Sequence, residues 1–150
     1  MSKTIEGMVK NAMERSFGTL NEANPKTKGT KETFSVPCTI EVPIDRVADT
    51  LCAALEGGSN YWCEEFMPAR YPEGVEWGHE AIAMCVPFHI VHEAGEILHI
   101  PGGKKHMMDT LLKMYQEFPR HFWDMEAGNE DAETGDVLFQ LLCFGEVVYG

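Results

Sequence analysis

Apolar residues recur every three or four positions in four stretches of the chain, a spacing that places them on one face of a helix. These stretches lie at about residues 5–17, 44–55, 108–118 and 131–144. In the first stretch the apolar positions are Ile5, Met8, Val9, Ala12, Met13 and Phe17. The pattern therefore predicts four helices, of which the second ends at Gly57 and Gly58 and the last ends at Gly145.

Alternation of apolar and polar residues, which is typical of half-buried strands, predicts further elements. Residues 33–42 alternate in this way, and Pro37 assigns that strand to a sheet edge or a bulge because proline cannot donate a ladder hydrogen bond. Residues 79–92 and 96–100 predict a hairpin, with Gly95 in the turn where a positive φ is needed. Residues 59–78 contain proline and glycine breaks without a period, so we interpret them as a structured loop.

The order of these elements predicts the fold class. Because the strands do not alternate strictly with helices, we expect an α+β fold in which a small antiparallel sheet has helices packed mainly on one side. The polar segment 18–32 predicts a mobile linker. The expected organisation is therefore an N-terminal amphipathic helix and linker over residues 1–32, followed by a single compact domain over residues 33–150.

Charge is distributed unevenly along the 150 residues, whose formal net charge is −12. Residues 1–33 contain six basic and four acidic residues, whereas residues 34–150 contain six basic and twenty acidic residues, a net charge of −14. This balance argues against direct binding to nucleic acid, because phosphate backbones require a basic surface. Two partner classes remain: a basic protein surface that would otherwise hold nucleic acid, and a small molecule in a pocket.

Signatures of catalysis and metal binding are missing from the sequence. The five cysteines form no C-x-x-C pair, so buried reduced thiols are expected. There is no H-E-x-x-H or G-x-S-x-G, and the sequence has no Pro-Cys-x-x-Cys partner for His79 and Glu80 of the kind that zinc deaminases use. We therefore expect no enzyme activity, no metal and no cofactor.

The sequence also predicts a cytoplasmic protein without a membrane partner. The N-terminus alternates charged and apolar residues and so lacks the apolar run of a signal peptide. No run of about 18 apolar residues, the length that spans a bilayer, occurs in the chain.

Two segments are candidates for ligand binding. The first combines glycines that allow close approach with aromatic rings that either stack on a ligand or seal the core over a helix end. Its residues are Gly57, Gly58, Tyr61 and Trp62. The second is the pair Lys104 and Lys105, which precedes a helix whose N-terminal amides can receive an anion. Its spacing is not that of a P-loop, and lysines in such a place are also ordinary solubilising residues.

Two separated motifs resemble those of a family of small proteins encoded by bacteriophages and prophages. The first is A-L-E-G-G-S-N-Y-W at residues 54–62. The second comprises P-R-H-F at 119–122, D-A-E-T-G-D-V-L-F-Q at 131–140 and F-G-E-V-V-Y-G at 144–150, with Gly135 where alanine is expected. The resemblance covers most of residues 33–150 and implies a phage gene product made in the cytoplasm of an infected bacterial host. It implies no particular activity.

Small phage proteins of this kind often neutralise host immunity, so the first hypothesis is a counter-defence protein that sequesters a nucleotide-like ligand stoichiometrically. Its pocket would lie where the first motif meets the last helix. Tyr61 and Trp62 would stack on a base or seal the pocket, Glu56 and Asp136 would accept hydrogen bonds from ribose or a base edge, and Gln140 would read the base. The phosphate charge would be offset by Lys104, Lys105, Arg120 or His121.

Two alternatives stay open. One is an acidic protein-binding inhibitor that imitates nucleic acid and blocks a host defence protein such as a nuclease or a CRISPR effector, which the net charge favours. The other is a structural or regulatory phage protein. The N-terminal amphipathic helix also allows docking on a second copy, so a homo-oligomer is an alternative to a monomer.

Overall fold

A computed structural model describes residues 31–150. The helix predicted over residues 5–17 and most of the predicted linker lie outside these residues, so both stay predictions. The chain divides into two units, Met1–Thr39 and Ile40–Gly150. The second unit thus begins at Ile40, a few residues after the start that the sequence predicts for the compact domain.

Residues 31–43 adopt neither helix nor strand, so the strand predicted over residues 33–42 is wrong. Phe34 and Val36, which the alternation placed on a buried face, are 83% and 78% exposed. Alternation shows only which face a strand would bury, whereas a strand also needs a hydrogen-bonded neighbour. Pro37 removes one of the donors that such a neighbour would use.

The first helix of the described residues, α1 (Ile44–Ala53), confirms the helical stripe predicted from residue 44. It buries Val47, Thr50 and Leu51 and continues directly into a π-helical turn, Ala54–Gly58. The turn ends at the two glycines, as predicted. It forms the first half of the A-L-E-G-G-S-N-Y-W motif and so leads the chain from α1 into the candidate site.

A three-stranded antiparallel sheet contains β1 (Cys63–Pro68), β2 (Phe88–His92) and β3 (Glu96–Ile100), with β2 in the centre. β2 and β3 form the predicted hairpin, and Gly95 in its turn has the expected positive φ, 80°.

The two faces of the sheet differ in burial. On one face, Phe88, Ile90 and Ile100 are buried in the core. On the other face, Met67 and Ile97 are 47% and 60% exposed. The helices therefore cover one side of the sheet, and the predicted α+β fold is confirmed.

Two predicted elements between residues 59 and 92 are wrong. β1 lies within the segment that we interpreted as a loop, and a short helix, α2 (Gly78–Ala83), replaces the first part of the strand predicted over residues 79–92. β1 has no period of its own, because pairing with β2 decides its conformation. The last three residues of α2 are all buried, so its sequence shows neither the apolar spacing of an amphipathic helix nor the alternation of a half-buried strand. Packing against α1 therefore decides its structure.

Three helices complete the domain: α3 (Lys104–Glu117), α4 (Pro119–Ala127) and α5 (Ala132–Phe144). α3 and α5 confirm predicted helices, whereas α4 was not predicted. Pro119, which indicated the end of α3, also begins α4, because proline is tolerated at the first position of a helix. Within residues 31–150, no helix is both long enough and apolar enough to cross a membrane.

α5 is the central helix of the domain. Residues 137–142 are all buried, and the helix packs against α1, α3, α4 and the π-helical turn. Its N-terminus is capped by the Asp131 carboxylate, which accepts a hydrogen bond from the Thr134 backbone N–H at 2.8 Å. This hydrogen bond to the charged form lowers the pKa of Asp131. The helix ends at Gly145, as predicted.

Gly135 allows α5 to approach α1 closely. A Cβ at this position would lie 2.5 Å from the Ala54 nitrogen and 2.8 Å from the Thr50 carbonyl oxygen, both of which belong to the backbone. Alanine, the residue expected from the resemblance, therefore requires the two helices to move apart. Glycine lowers helix propensity but fits this contact.

We expect Gly135→Ala to destabilise the protein by about 1–3 kcal/mol, because overpacking forces the backbone to shift. The matched control is Gly57→Ala in the π-helical turn, where nothing lies within 4 Å of the added Cβ. Thermal unfolding followed by circular dichroism compares the two variants. A Gly135→Ala protein that melts no lower than the Gly57→Ala protein would contradict the packing argument.

Candidate functional site

The carboxylate of Asp136, in the second turn of α5, is the centre of a hydrogen-bonded cluster. One oxygen, Oδ1, accepts hydrogen bonds from Ser59 Oγ at 2.8 Å and from Trp62 Nε1 at 2.7 Å. The other oxygen, Oδ2, accepts from Tyr61 Oη at 2.7 Å and from Gln140 Nε2 at 2.8 Å. Four donors fill the four lone-pair positions of a carboxylate, so Asp136 is fully satisfied within the chain.

The backbone after the π-helical turn places three of these donors. The N–H groups of Trp62 and Cys63 both donate to the Ser59 carbonyl, at 3.2 and 2.9 Å, and close a tight turn. This turn can lie against the start of α5 because residue 58 is glycine: a Cβ there would lie 2.2 Å from the Ala132 carbonyl oxygen. The glycine therefore approaches α5 itself, whereas the sequence suggested the approach of a ligand.

Gln140, one turn after Asp136, extends the cluster to the C-terminal segment. Its Oε1 accepts hydrogen bonds from the backbone N–H groups of Val148 and Tyr149 at 2.8 and 2.7 Å, and its Nε2 donates to the Tyr149 carbonyl at 3.0 Å. The side chain is fully buried. Both ends of the amide are thus occupied by the protein's own groups rather than left free to read a base.

The indole of Trp62 is enclosed by aromatic side chains and is only 2% exposed. Tyr149 stacks on it with the ring centroids 5.3 Å apart and the planes 4° from parallel. Phe139 and Phe144 contact it at centroid distances of 5.4 and 5.3 Å. Tyr149 therefore occupies the position that the sequence analysis assigned to a ligand base. These contacts agree with the alternative interpretation, in which Trp62 seals the core.

Titratable groups around the cluster are held in their neutral forms. Desolvation and the adjacent Asp136 carboxylate raise the pKa of Tyr61 to about 12. Burial raises the pKa of the Cys63 thiol to about 11 and that of Cys143 well above its ordinary value. A nucleophilic cysteine needs a lowered pKa, so neither thiol is activated.

The other predicted site residues lie away from this cluster. Glu56 is exposed, Lys105 pairs with Asp109 at 2.5 Å, and Arg120 lies 3.7 Å from Asp124. His121 Nδ1 lies 2.9 Å from Thr134 Oγ1 at the start of α5. The remaining members, Gly57 and Lys104, are exposed. Among residues 31–150, no hydrogen bond or ion pair connects any of these side chains to Asp136, so the structure joins only Tyr61, Trp62, Asp136 and Gln140.

Ser59 and Tyr149 are members of the cluster that the sequence analysis did not assign. Both lie inside the quoted motifs. The presence of two motifs far apart in one chain was the feature of the sequence that indicated contact between them. The identity of each partner was not readable, because the bonds join residues more than seventy positions apart.

The exposed surface is the second candidate site, and its charge is one-sided. Fifteen of the twenty acidic residues between 34 and 150 are exposed. Of these fifteen, only Asp109 and Glu117 form ion pairs with Lys or Arg within the described chain. Among the same residues, no group of three or more His, Cys, Asp or Glu side chains could hold a metal ion. Most of the exposed carboxylates therefore have no Lys or Arg partner among residues 31–150.

Comparison of the chain with models of protein families, with curated proteins and with solved structures gave no match. The geometry and charge of the described residues are therefore the observations from which a function can be inferred.

We expect Trp62→Ala to destabilise the protein by about 3–5 kcal/mol, because it removes a large buried side chain and leaves a cavity. Trp123→Ala is the matched control, since the Trp123 side chain is 50% exposed. Urea unfolding monitored by circular dichroism measures both free energies. Equal losses in the two variants would show that Trp62 does not support the core in the way its contacts indicate.

We also expect Tyr61 to ionise late. Because its pKa in the folded protein, about 12, lies above the ordinary value of 10.0, the folded state keeps a proton that the unfolded chain releases. Its contribution to stability is therefore complete below about pH 10 and is lost as the pH rises towards about 12. Ultraviolet titration of the wild type minus that of Tyr61→Phe isolates this group while circular dichroism verifies folding. A difference curve centred near pH 10 would contradict the contact with Asp136.

Proposed function

We propose that this protein acts by stoichiometric binding to a basic protein surface, of the kind that would otherwise hold nucleic acid. The observation that carries the proposal is the excess of exposed carboxylates without Lys or Arg partners in the described chain. Such a surface attracts a basic partner by electrostatic steering and repels nucleic acid. The proposal assigns no turnover to the protein.

The hydrogen-bonded cluster supports this choice over a nucleotide sponge. A sponge in the predicted pocket needs a free aromatic face at Trp62 and free polar atoms at Asp136 and Gln140. All of these groups are bonded to or stacked on the protein's own residues. Ligand binding there would have to displace Tyr149 and break the hydrogen bonds of Gln140, at a cost of about 0.5–1.5 kcal/mol for each neutral bond.

The resemblance to bacteriophage proteins supplies the setting of the proposal. A phage gene product of this kind would act in the cytoplasm of the infected bacterium. The basic partner would be a nucleic-acid-binding protein of host defence, such as a nuclease or a CRISPR effector. By occupying the surface that holds DNA or RNA, the acidic domain would block it without chemistry.

We expect the complex with such a partner to form at a fixed ratio and to weaken steeply with salt, because charges at the interface are screened over about 8 Å at physiological ionic strength. The protein, immobilised and incubated with bacterial extract, is washed with increasing salt, and eluted partners are identified by mass spectrometry. Each candidate is then purified, and its binding is measured at several salt concentrations with DNA or RNA as competitor.

The expected partner is basic, binds nucleic acid, and is released by competing nucleic acid. A partner whose affinity does not change with salt, or which binds nucleic acid and this protein simultaneously, would contradict the proposal. Native mass spectrometry with a nucleotide extract tests the sponge directly. An added mass in the nucleotide range on the folded protein would support the sponge and contradict binding to a basic protein surface as the function.

A further inference from the structure

A groove between α1 and α2 lies outside the Asp136 cluster. Its volume is about 300 Å³, at the small end of the range for clefts that bind ligands. Residues from α1, from the loop before α2 and from α2 with its C-terminal cap line it. They are Ile44, Asp45, Ala48, Asp49, Gly74, Val75, His79, Glu80 and Met84.

Four apolar side chains line this groove, and we call them its floor: Ile44, Ala48, Val75 and Met84. Ile44 is 59% exposed and Met84 is 47% exposed, although both line the same depression with Ala48 and Val75. Trp77, at the start of α2, is 62% exposed and stacks on His79 with the ring centroids 6.5 Å apart. The groove therefore offers apolar side chains and an indole beside it, which are the residue types that anchor protein partners.

Three carboxylates also line the groove, and we call them its rim: Asp45, Asp49 and Glu80. Asp45 and Asp49 are one helical turn apart on α1, and Glu80 lies opposite them on α2. Among residues 31–150, no Lys or Arg lines the groove. The single basic residue of α1, Arg46, points elsewhere, since its guanidinium packs against Gly128 at the end of α4. Glu80 Oε2 accepts a hydrogen bond from the Trp77 backbone N–H at 3.3 Å, and His79 also lines the groove, but none of the three carboxylates forms an ion pair with a Lys or Arg of residues 31–150.

From this combination we propose that the groove binds an amphipathic basic helix of the partner protein, with its apolar residues on the floor and its Lys or Arg residues against Asp45, Asp49 and Glu80. The inference rests on the proposed function and names the contact through which it operates. A groove between two helices suits a helix that presents anchors at positions i, i+3, i+4 and i+7. Charge complementarity identifies the occupant as basic, because an acidic rim repels phosphates and acidic segments.

The test uses a synthetic helical peptide with leucines at those anchor positions and lysines on the flanking positions. Fluorescence anisotropy measures its binding to the full-length protein at low and at physiological salt. Two control peptides separate the contributions: one replaces the leucines with serines, and the other replaces the lysines with glutamates. We expect the parent peptide to bind and each control peptide to bind at least about tenfold more weakly.

Variants of the protein assign the binding to the groove. We expect the double substitution Asp45→Asn with Asp49→Asn to weaken peptide binding about tenfold, whereas Glu64→Gln with Glu65→Gln on β1 removes the same charge with little effect. Ile44→Ser tests the floor, and Ile97→Ser on the exposed sheet face is its control, since these isoleucines are 59% and 60% exposed. Circular dichroism checks the fold of every variant.

The inference is overturned if the parent peptide does not bind, if the serine peptide binds as well as the parent, or if groove and control variants weaken binding equally. None of these results contradicts the proposed function if the partner from bacterial extract still binds in a salt-dependent way. Conversely, the peptide could bind in the groove while no basic partner from the extract shows salt-dependent binding. That result would support the groove as a binding site and contradict the proposed function.

Discussion

The described fold depends on one partly buried carboxylate that accepts four hydrogen bonds. Asp136 joins the turn after α1, the central helix α5 and, through Gln140, the C-terminal segment. Hydrogen bonds to a charged acceptor each contribute about 1.5–3 kcal/mol, whereas removing the acceptor would leave several donors unsatisfied. The cluster therefore fixes where Trp62 lies, and Trp62 in turn fixes the packing of Phe139, Phe144 and Tyr149.

Glycines make this arrangement possible at two helix contacts. Gly58 brings the turn against the first residue of α5, and Gly135 brings α5 against the backbone of α1. Gly58 is the last residue of the π-helical turn that follows α1 directly. Features that are frequently associated with ligand sites, namely paired glycines, adjacent aromatic residues and a π-helical turn, here serve the assembly of the core.

The same residue type has two roles in this chain. One carboxylate, Asp136, accepts four hydrogen bonds inside the domain, while fifteen others are exposed on its surface. Asp136 thus joins segments of the domain, whereas the exposed carboxylates are the groups that we propose contact a partner. In the groove between α1 and α2, exposed apolar side chains lie beside carboxylates that have no Lys or Arg partner among residues 31–150.

The sequence by itself determined the α+β class, the helices with a regular apolar stripe, the β2–β3 hairpin and the excess of negative charge, because each follows from local spacing or composition. It also suggested that the first motif meets the last helix, where the structure joins Tyr61 and Trp62 to Asp136 and Gln140, but it grouped with them Glu56 and four basic residues that lie elsewhere. Only the tertiary structure decided that β1 is a strand, that residues 33–42 are not, and that α2 is a helix, because pairing and packing with distant segments override weak local patterns. Tertiary structure also decided the role of the motif: whether Trp62 faces a ligand or Tyr149 depends on residues that are far apart in the chain and adjacent only after folding.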